Sequence, residues 1–191
     1  MNLVFNNVLN KNKKNYNGVT IEETILSGKI NIRGKSSDKE FMKNIGSVLN
    51  LVLPIEPNVR IYNNNINILW LGPNEWLVIT PENEKDKIIS LLESKLNPEK
   101  TAITDVSFNR TVLRLEGKQV FTLLSKFLVA NLEKILETNF SVAQTIFLKI
   151  PVLFIRNNTD KEATSLDLHL NRSHAKYVYE LLVDGSKNLN I

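Results

Sequence analysis

The sequence contains no cysteine. That removes thiol nucleophiles, disulfides and cysteine-ligated zinc or iron–sulfur clusters. At 191 residues the chain needs no such staple, because a chain of this size buries roughly 70% of its unfolded surface. Histidine occurs twice, as His169 and His174. One falls in an expected strand and the other at an expected helix start, so they do not form the H-x-x-x-H face of a helical metal site. The seven glycines are dispersed, and no P-loop, G-x-G-x-x-G or G-x-S-x-G element occurs, which excludes a phosphate-cradling loop and a nucleophile elbow. No apolar run reaches the roughly 18–20 residues needed to cross a bilayer. The lysines near the N-terminus follow the short apolar patch instead of preceding it, the wrong order for a secretory signal. The expectation is a cytoplasmic protein without a membrane contact. A basic stripe interleaved with aromatics is also missing. The net charge is +4, the lysines are scattered, and the densest run is "KNKK" at 11–14, so nucleic acid is not an expected partner.

What the chain does have is asparagine, in runs such as "NNN" at 63–65, a residue suited to turns and left-handed backbone positions. Residues 1–19 read as a polar N-terminal arm. "VTIEETILSGKINIRG" (19–34) alternates as one or two strands. "SSDKEFMKNIGSVLNL" (36–51) reads as a helix capped by Ser37 or Asp38, with Phe41, Ile45, Val48 and Leu49 on one face. Short strands "VRIY", "INILWLG" and "EWLVIT" follow, joined by the Asn63–Asn65 and Gly72-Pro73-Asn74 turns. An amphipathic helix (83–96) and a strand (101–107) close this half. The order then recurs: strand 111–117, helix 118–128, two strands hinged at Pro151, strand 164–170, and a helix at 172–185 with Gly185 as C-cap. The expected fold is α+β, two βαββα-type, ferredoxin-like units with mostly antiparallel sheets. Residues 20–191 then form one domain of two pseudo-repeated halves, about 20–107 and 108–185.

Few residues carry recognisable chemistry. Asp105 closes a strand in "TDVSFNR" and has two readings, a general base or, more commonly for such a position, a turn cap. Arg33, Arg110, Arg114 and Arg172 can tie strands to loops or to a partner chain, since a guanidinium holds a carboxylate or carbonyl cluster as a planar fork. The stretch "LWLGPNEWLVIT" (69–80) holds both tryptophans. Trp70 and Trp76 flank the Gly72-Pro73-Asn74 turn and become neighbours across two strands, sealing one end of a core or anchoring a contact with another protein.

"LWLGPNEWLVI" (69–79), "TDVSFNRTVLRLEG" (104–117), "AQT" (143–145) and "NRSHAKYVYELL" (171–182) together resemble the gamma subunit family of heterotetrameric sarcosine oxidase. The likeness spans about residues 30 to 184. Phe108-Asn109 stand where that family often has Asp-Gly. The resemblance implies a non-catalytic subunit that assembles an oxidative demethylase. That enzyme turns sarcosine into glycine, with the one-carbon unit passed to tetrahydrofolate. It implies alpha, beta and delta subunits as partners. Flavins (FAD and FMN), NAD and tetrahydrofolate lie on alpha and beta, zinc lies on delta, and this chain carries no cofactor and no catalytic or metal residue. It implies a fold like the folate-binding domain of the aminomethyltransferase family. Trp70, Gly72, Pro73, Trp76, Asp105, Arg110, Arg172 and Ser173 are the signature positions and the expected interface residues. A free-standing folate-binding protein of the aminomethyltransferase type is the alternative, and it expects a carboxylate, for which Asp105 is the candidate, to hold a pterin ring.

Overall fold

A computed structural model describes residues 7–9, 14–160 and 163–189. Residues 1–6 and 10–13 of the expected N-terminal arm lie outside them, while 14–16 and Val19 enter a sheet. In chain order the elements are β1 (Lys14–Tyr16), β2 (Val19–Glu23), β3 (Gly28–Arg33), α1 (Lys39–Leu49), β4 (Arg60–Tyr62), β5 (Asn67–Gly72), β6 (Glu75–Thr80), α2 (Glu82–Lys95) and β7 (Ala102–Asp105). There follow β8 (Arg110–Glu116), α3 (Val120–Leu124), α4 (Leu132–Ile135), β9 (Val142–Phe147), β10 (Ile150–Arg156), β11 (Ser165–Asn171), a single 3₁₀ turn and α5 (Ala175–Ser186). Every strand pairing among the described residues is antiparallel. The α+β class with antiparallel sheets therefore holds.

The chain forms two compact units. One is Leu26–Phe108, and the other joins the segment up to Ile25 with the chain from Asn109 onward. The strand pattern at 19–34 is accordingly two strands that enter different sheets, β2 beside β8 and β3 between β6 and β7.

In the unit Leu26–Phe108 the strand order is β4-β5-β6-β3-β7. Alternation puts Ile30, Ile32, Ile68, Trp76 and Val78 on one face, where they form a core with Phe41, Ile45 and Leu49 of α1 and Ile88 and Leu92 of α2. Burial of this stripe, and not intrinsic propensity, holds such short helices in place. The α1 boundary is set locally. The Asp38 side chain accepts from the Glu40 and Phe41 backbone amides at 2.9 and 3.1 Å, and Asn50 ends the helix in the left-handed region (φ 53°).

In the other unit the order is β1-β2-β8-β11-β10-β9. Its core joins Val19, Ile21, Leu113, Leu115, Leu166, Leu168 and Phe154 to Leu123 of α3 and to Ala175, Val178, Tyr179 and Leu182 of α5, the α5 stripe expected from its spacing. Three local expectations fail here. The helix expected over 118–128 is only the short α3, and the chain turns on at Ser125–Phe127. The bend between β9 and β10 is not at Pro151 but at the two-residue loop Leu148-Lys149, because Phe147 pairs with Ile150 and Pro151 with Ile146. Pro151 is tolerated in the ladder because β11 first pairs with β10 at Leu153, so no bond on that side is lost.

Gly185 is not a C-cap. It lies inside α5, and a Cβ there would stand 2.7 Å from Phe127 Cζ. The end of α5 is capped from another element, as Asn17 Nδ2 donates to the carbonyls of Ser186 and Lys187, both at 3.0 Å. Phe127 in turn stacks on Phe147 with centroids 5.0 Å apart, so its ring cannot easily yield. Gly185→Ala therefore sets a helix-propensity gain of about 1 kcal/mol against an overpacking cost of about 1–3 kcal/mol. We expect a net loss of stability, read as a lower urea midpoint; a gain would show that the Phe127 ring moves aside without cost.

Candidate functional site

The expected site residues gather in separate places. Trp70 and Trp76 face each other directly across β5 and β6, with a register shift between Trp70 and Gly72 before Gly72 pairs with Glu75. The pair is unequal. Trp76 is fully buried, its ring centroid 5.8 Å from that of Phe41, and its Nε1–H donates to the Pro54 carbonyl at 2.8 Å. Trp70 is half-buried, and its backbone N–H donates to the Val59 carbonyl at 3.0 Å. Between them Pro73 and Asn74 are exposed.

The turn is fixed from β3. The Gly34 N–H donates to the Asn74 carbonyl at 3.1 Å, and Glu75 accepts from Asn31 Nδ2 at 2.8 Å and from Arg33 at 3.0 Å. Gly34 must be glycine, since a Cβ would fall 2.4 Å from the Phe41 ring. Arg33, Lys35, Gly72, Pro73, Glu75 and Lys100 are among the residues lining an open cleft of about 480 Å³ beside the turn.

Asp105 lies in the same unit but away from that turn. The ladder sets it opposite Ile30, whereas Glu75 pairs with Arg33 at the other end of β3. Both of its oxygens are engaged. Oδ1 accepts from the Ser107 N–H at 2.9 Å and the Ser107 hydroxyl at 2.6 Å, and Oδ2 meets Lys85 Nζ at 2.8 Å. Lys85 is buried and also reaches Glu82 at 3.1 Å, with the Phe108 ring 5.5 Å away. Burial works against charge on both partners. At Asp105 it is outweighed by the hydrogen bonds from Lys85 and Ser107, which hold the carboxyl below its ordinary value. At Lys85 it is outweighed by the bonds to Asp105 and Glu82, which raise the ammonium pKa.

Lys85 was missed in the sequence, although a signal existed. It sits three residues before Ile88 and seven before Leu92, on the apolar stripe of α2.

Arg110, Arg172 and Ser173 form a third group, in the other unit. Arg110 opens β8 opposite Asn171, the Arg172 N–H donates to the Asn109 carbonyl at 3.1 Å, and Ser173 is exposed in the turn before α5. Among the described residues no group of three or more His, Asp or Glu could hold a metal ion.

Two outcomes follow from this geometry. Trp76→Ala should cost the chain about 3–5 kcal/mol, the range for emptying a buried aromatic site, whereas Trp70→Ala should cost roughly half as much because it is half in solvent. Equal losses in urea unfolding would show that both indoles are core. The second concerns acid. A carboxylate whose pKa falls on folding stabilises the folded state above its unfolded value, and that contribution vanishes as the pH drops through the folded value. Asp105→Asn should therefore lower stability at pH 7 by about 1–2 kcal/mol, discounted for the partial exposure of Asp105, and should flatten the decline of the urea midpoint on acidification below about pH 5. An unchanged acid limb would show that Asp105 does not govern it.

Residues 33–188 match the model of the sarcosine oxidase, gamma subunit family. The sarcosine oxidase subunit gamma of Corynebacterium sp. (strain U-96) is 36% identical over 92 residues, 47% of this chain and 42% of that one. That of Arthrobacter sp. is 37% identical over 90 residues, 47% and 43% of the two chains. The chain thus spans less than half the length of the curated relatives it matches. Among solved structures, a chain of the heterotetrameric sarcosine oxidase from Corynebacterium sp. U-96, in complex with pyrrole 2-carboxylate, shares the fold. Its TM-score is 0.79 at 23% identity, over 93% of this chain and 90% of that one. The glycine cleavage system aminomethyltransferase T from Bartonella henselae shares it with a TM-score of 0.62 at 16% identity, over 90% of this chain and 47% of that one.

Proposed function

The chain belongs to the sarcosine oxidase gamma subunit family, and from that membership we propose that it is a non-catalytic assembly subunit of a heterotetrameric, flavin-dependent sarcosine oxidase. In this reading the complex demethylates sarcosine oxidatively to glycine and passes the one-carbon unit to tetrahydrofolate. The partners are its alpha, beta and delta subunits, which hold FAD, FMN, NAD, tetrahydrofolate and zinc. The gamma chain holds none of these and contributes surface and stability. Trp70, Gly72, Pro73 and Trp76 shape one contact region, and Arg110, Arg172 and Ser173 a second.

The observation that carries the reading is the family match across most of the chain. The state of Asp105 supports it. Lys85 and Ser107 hold the Asp105 carboxyl below its ordinary value, which makes it a weaker general base, and Lys85 already serves as its countercharge.

The test is reconstitution with the remaining subunits of its own complex. Asp105→Asn should leave the turnover of the assembled enzyme within a few-fold of wild type, because the carboxylate ties a turn to α2. A loss of more than about a hundredfold with assembly intact would make Asp105 a general acid or base.

A further inference from the structure

Of the chain's many asparagines, only Asn17 is followed by glycine. The pair forms the two-residue turn between β1 and β2. Tyr16 pairs with Val19 across it, and φ is positive at both positions, 47° and 80°, the type I′ geometry that Asn-Gly favours. The turn is seated at three points. Asn17 Nδ2 donates to the carbonyls of Ser186 and Lys187 at the end of α5, both at 3.0 Å. The Tyr16 and Tyr179 hydroxyls share a hydrogen bond of 2.8 Å. The Gly18 carbonyl lies so close to Gly117 that a Cβ there would fall 2.1 Å from its oxygen. These contacts matter because β1 is a three-residue edge strand, paired among the described residues with β2 alone.

Asn-Gly is also the dipeptide most prone to lose its side-chain amide, because glycine has no side chain to keep its backbone nitrogen from the neighbouring amide carbon. The Gly18 nitrogen attacks Asn17 Cγ. The Cγ–Nδ2 bond breaks, and ammonia leaves with the proton from the Gly18 nitrogen. Water then opens the five-membered imide, giving aspartate if it cuts the new N–Cγ bond and isoaspartate if it cuts the original peptide bond. We infer that Asn17 is a site of this spontaneous modification, guarded by α5, and that conversion acts as a one-way release of the β1–β2 turn. In the seated turn both reacting groups are engaged, the Asn17 amide by the two carbonyls and the Gly18 N–H by Asn15 Oδ1 at 3.3 Å. Cyclisation therefore draws on molecules in which the turn has left the helix end. The product does not regain the same seat. A carboxylate sets oxygen against two carbonyl oxygens, at the negative end of the α5 dipole. The neighbouring ammonium groups are committed, Lys126 to the Gly185 carbonyl and Lys187 to Asp184. Isoaspartate lengthens the backbone by one carbon and breaks the two-residue spacing that sets Tyr16 opposite Val19.

The experiment follows the amide-to-acid mass gain at Asn17 in the purified full-length chain and in a synthetic peptide of residues 14–24, both at mildly alkaline pH. Conversion in the folded chain should be about tenfold slower than in the peptide, or slower still, because only the fraction with the turn released reacts. Tyr16→Phe drops the bond to Tyr179 without touching Asn17 or Gly18, and should speed conversion in the folded chain about threefold. Asn17→Asp carries the product acid from the outset. Trypsin should cut it after Lys14, which is exposed in β1, roughly fivefold faster than wild type, while its urea transition stays cooperative. Equal conversion rates in chain and peptide, or in Tyr16→Phe and wild type, overturn the guarding by α5. An Asn17→Asp chain that resists trypsin as wild type does overturns the release. Loss of its cooperative urea transition means that the whole unit unfolds, and overturns a release confined to the turn.

Discussion

A tryptophan taken wholly out of water must find an acceptor for its indole N–H, since an unmet donor in an apolar core costs about 1–3 kcal/mol. In the unit Leu26–Phe108 that requirement organises much else. Trp76 sits at zero exposure on β6, opposite Ile32 on one side and Trp70 on the other. Its donor is satisfied by a residue of the α1–β4 loop, Pro54, whose own neighbour Leu53 enters the same core. One side chain therefore ties a helix exit, a loop and the central strands. The close fit of Phe41 over Gly34 closes that end of the core and leaves no room for a side chain where β3 meets the signature turn.

The same rule, that buried polarity must be matched, accounts for most of the chain's charged groups away from the surface. Glu23 is buried and accepts from the Val8 and Leu9 amides at 2.9 and 2.7 Å and from the Thr111 hydroxyl. Arg156 is buried, donates to the carbonyls of Leu136 and Asn158, and lies 5.6 Å from the Phe121 ring centroid. Lys85 is held by Asp105 and Glu82. In each case the group is committed to holding one segment against another, and removing one partner would leave a buried charge uncompensated.

The candidate surfaces divide along the two units. The tryptophan hairpin, its loop and the Asp105 cluster belong to Leu26–Phe108, and Arg110, Arg172 and Ser173 belong to the other unit. The signature stretches are thus divided between the two units. Of the signature positions, Trp76 is buried in a core, whereas Pro73 and Ser173 are exposed.

By itself the sequence determined what local physics controls. Alternation at Ile30 and Ile32, the 3.6-residue stripe at Ala175, Val178, Tyr179 and Leu182, the Asp38 cap and the cross-strand meeting of Trp70 and Trp76 all follow from period and turn chemistry. The tertiary structure alone decided whatever depends on partners distant in the chain. β2 and β3, only four residues apart, pair with β8 and with β6 and β7, and no local pattern names a strand's neighbour. Gly185 looked like a cap because a late glycine usually is one, but Phe127, 58 residues earlier, sets its size. Lys85 lies on the apolar stripe of α2, and its countercharge comes from Asp105, twenty residues on.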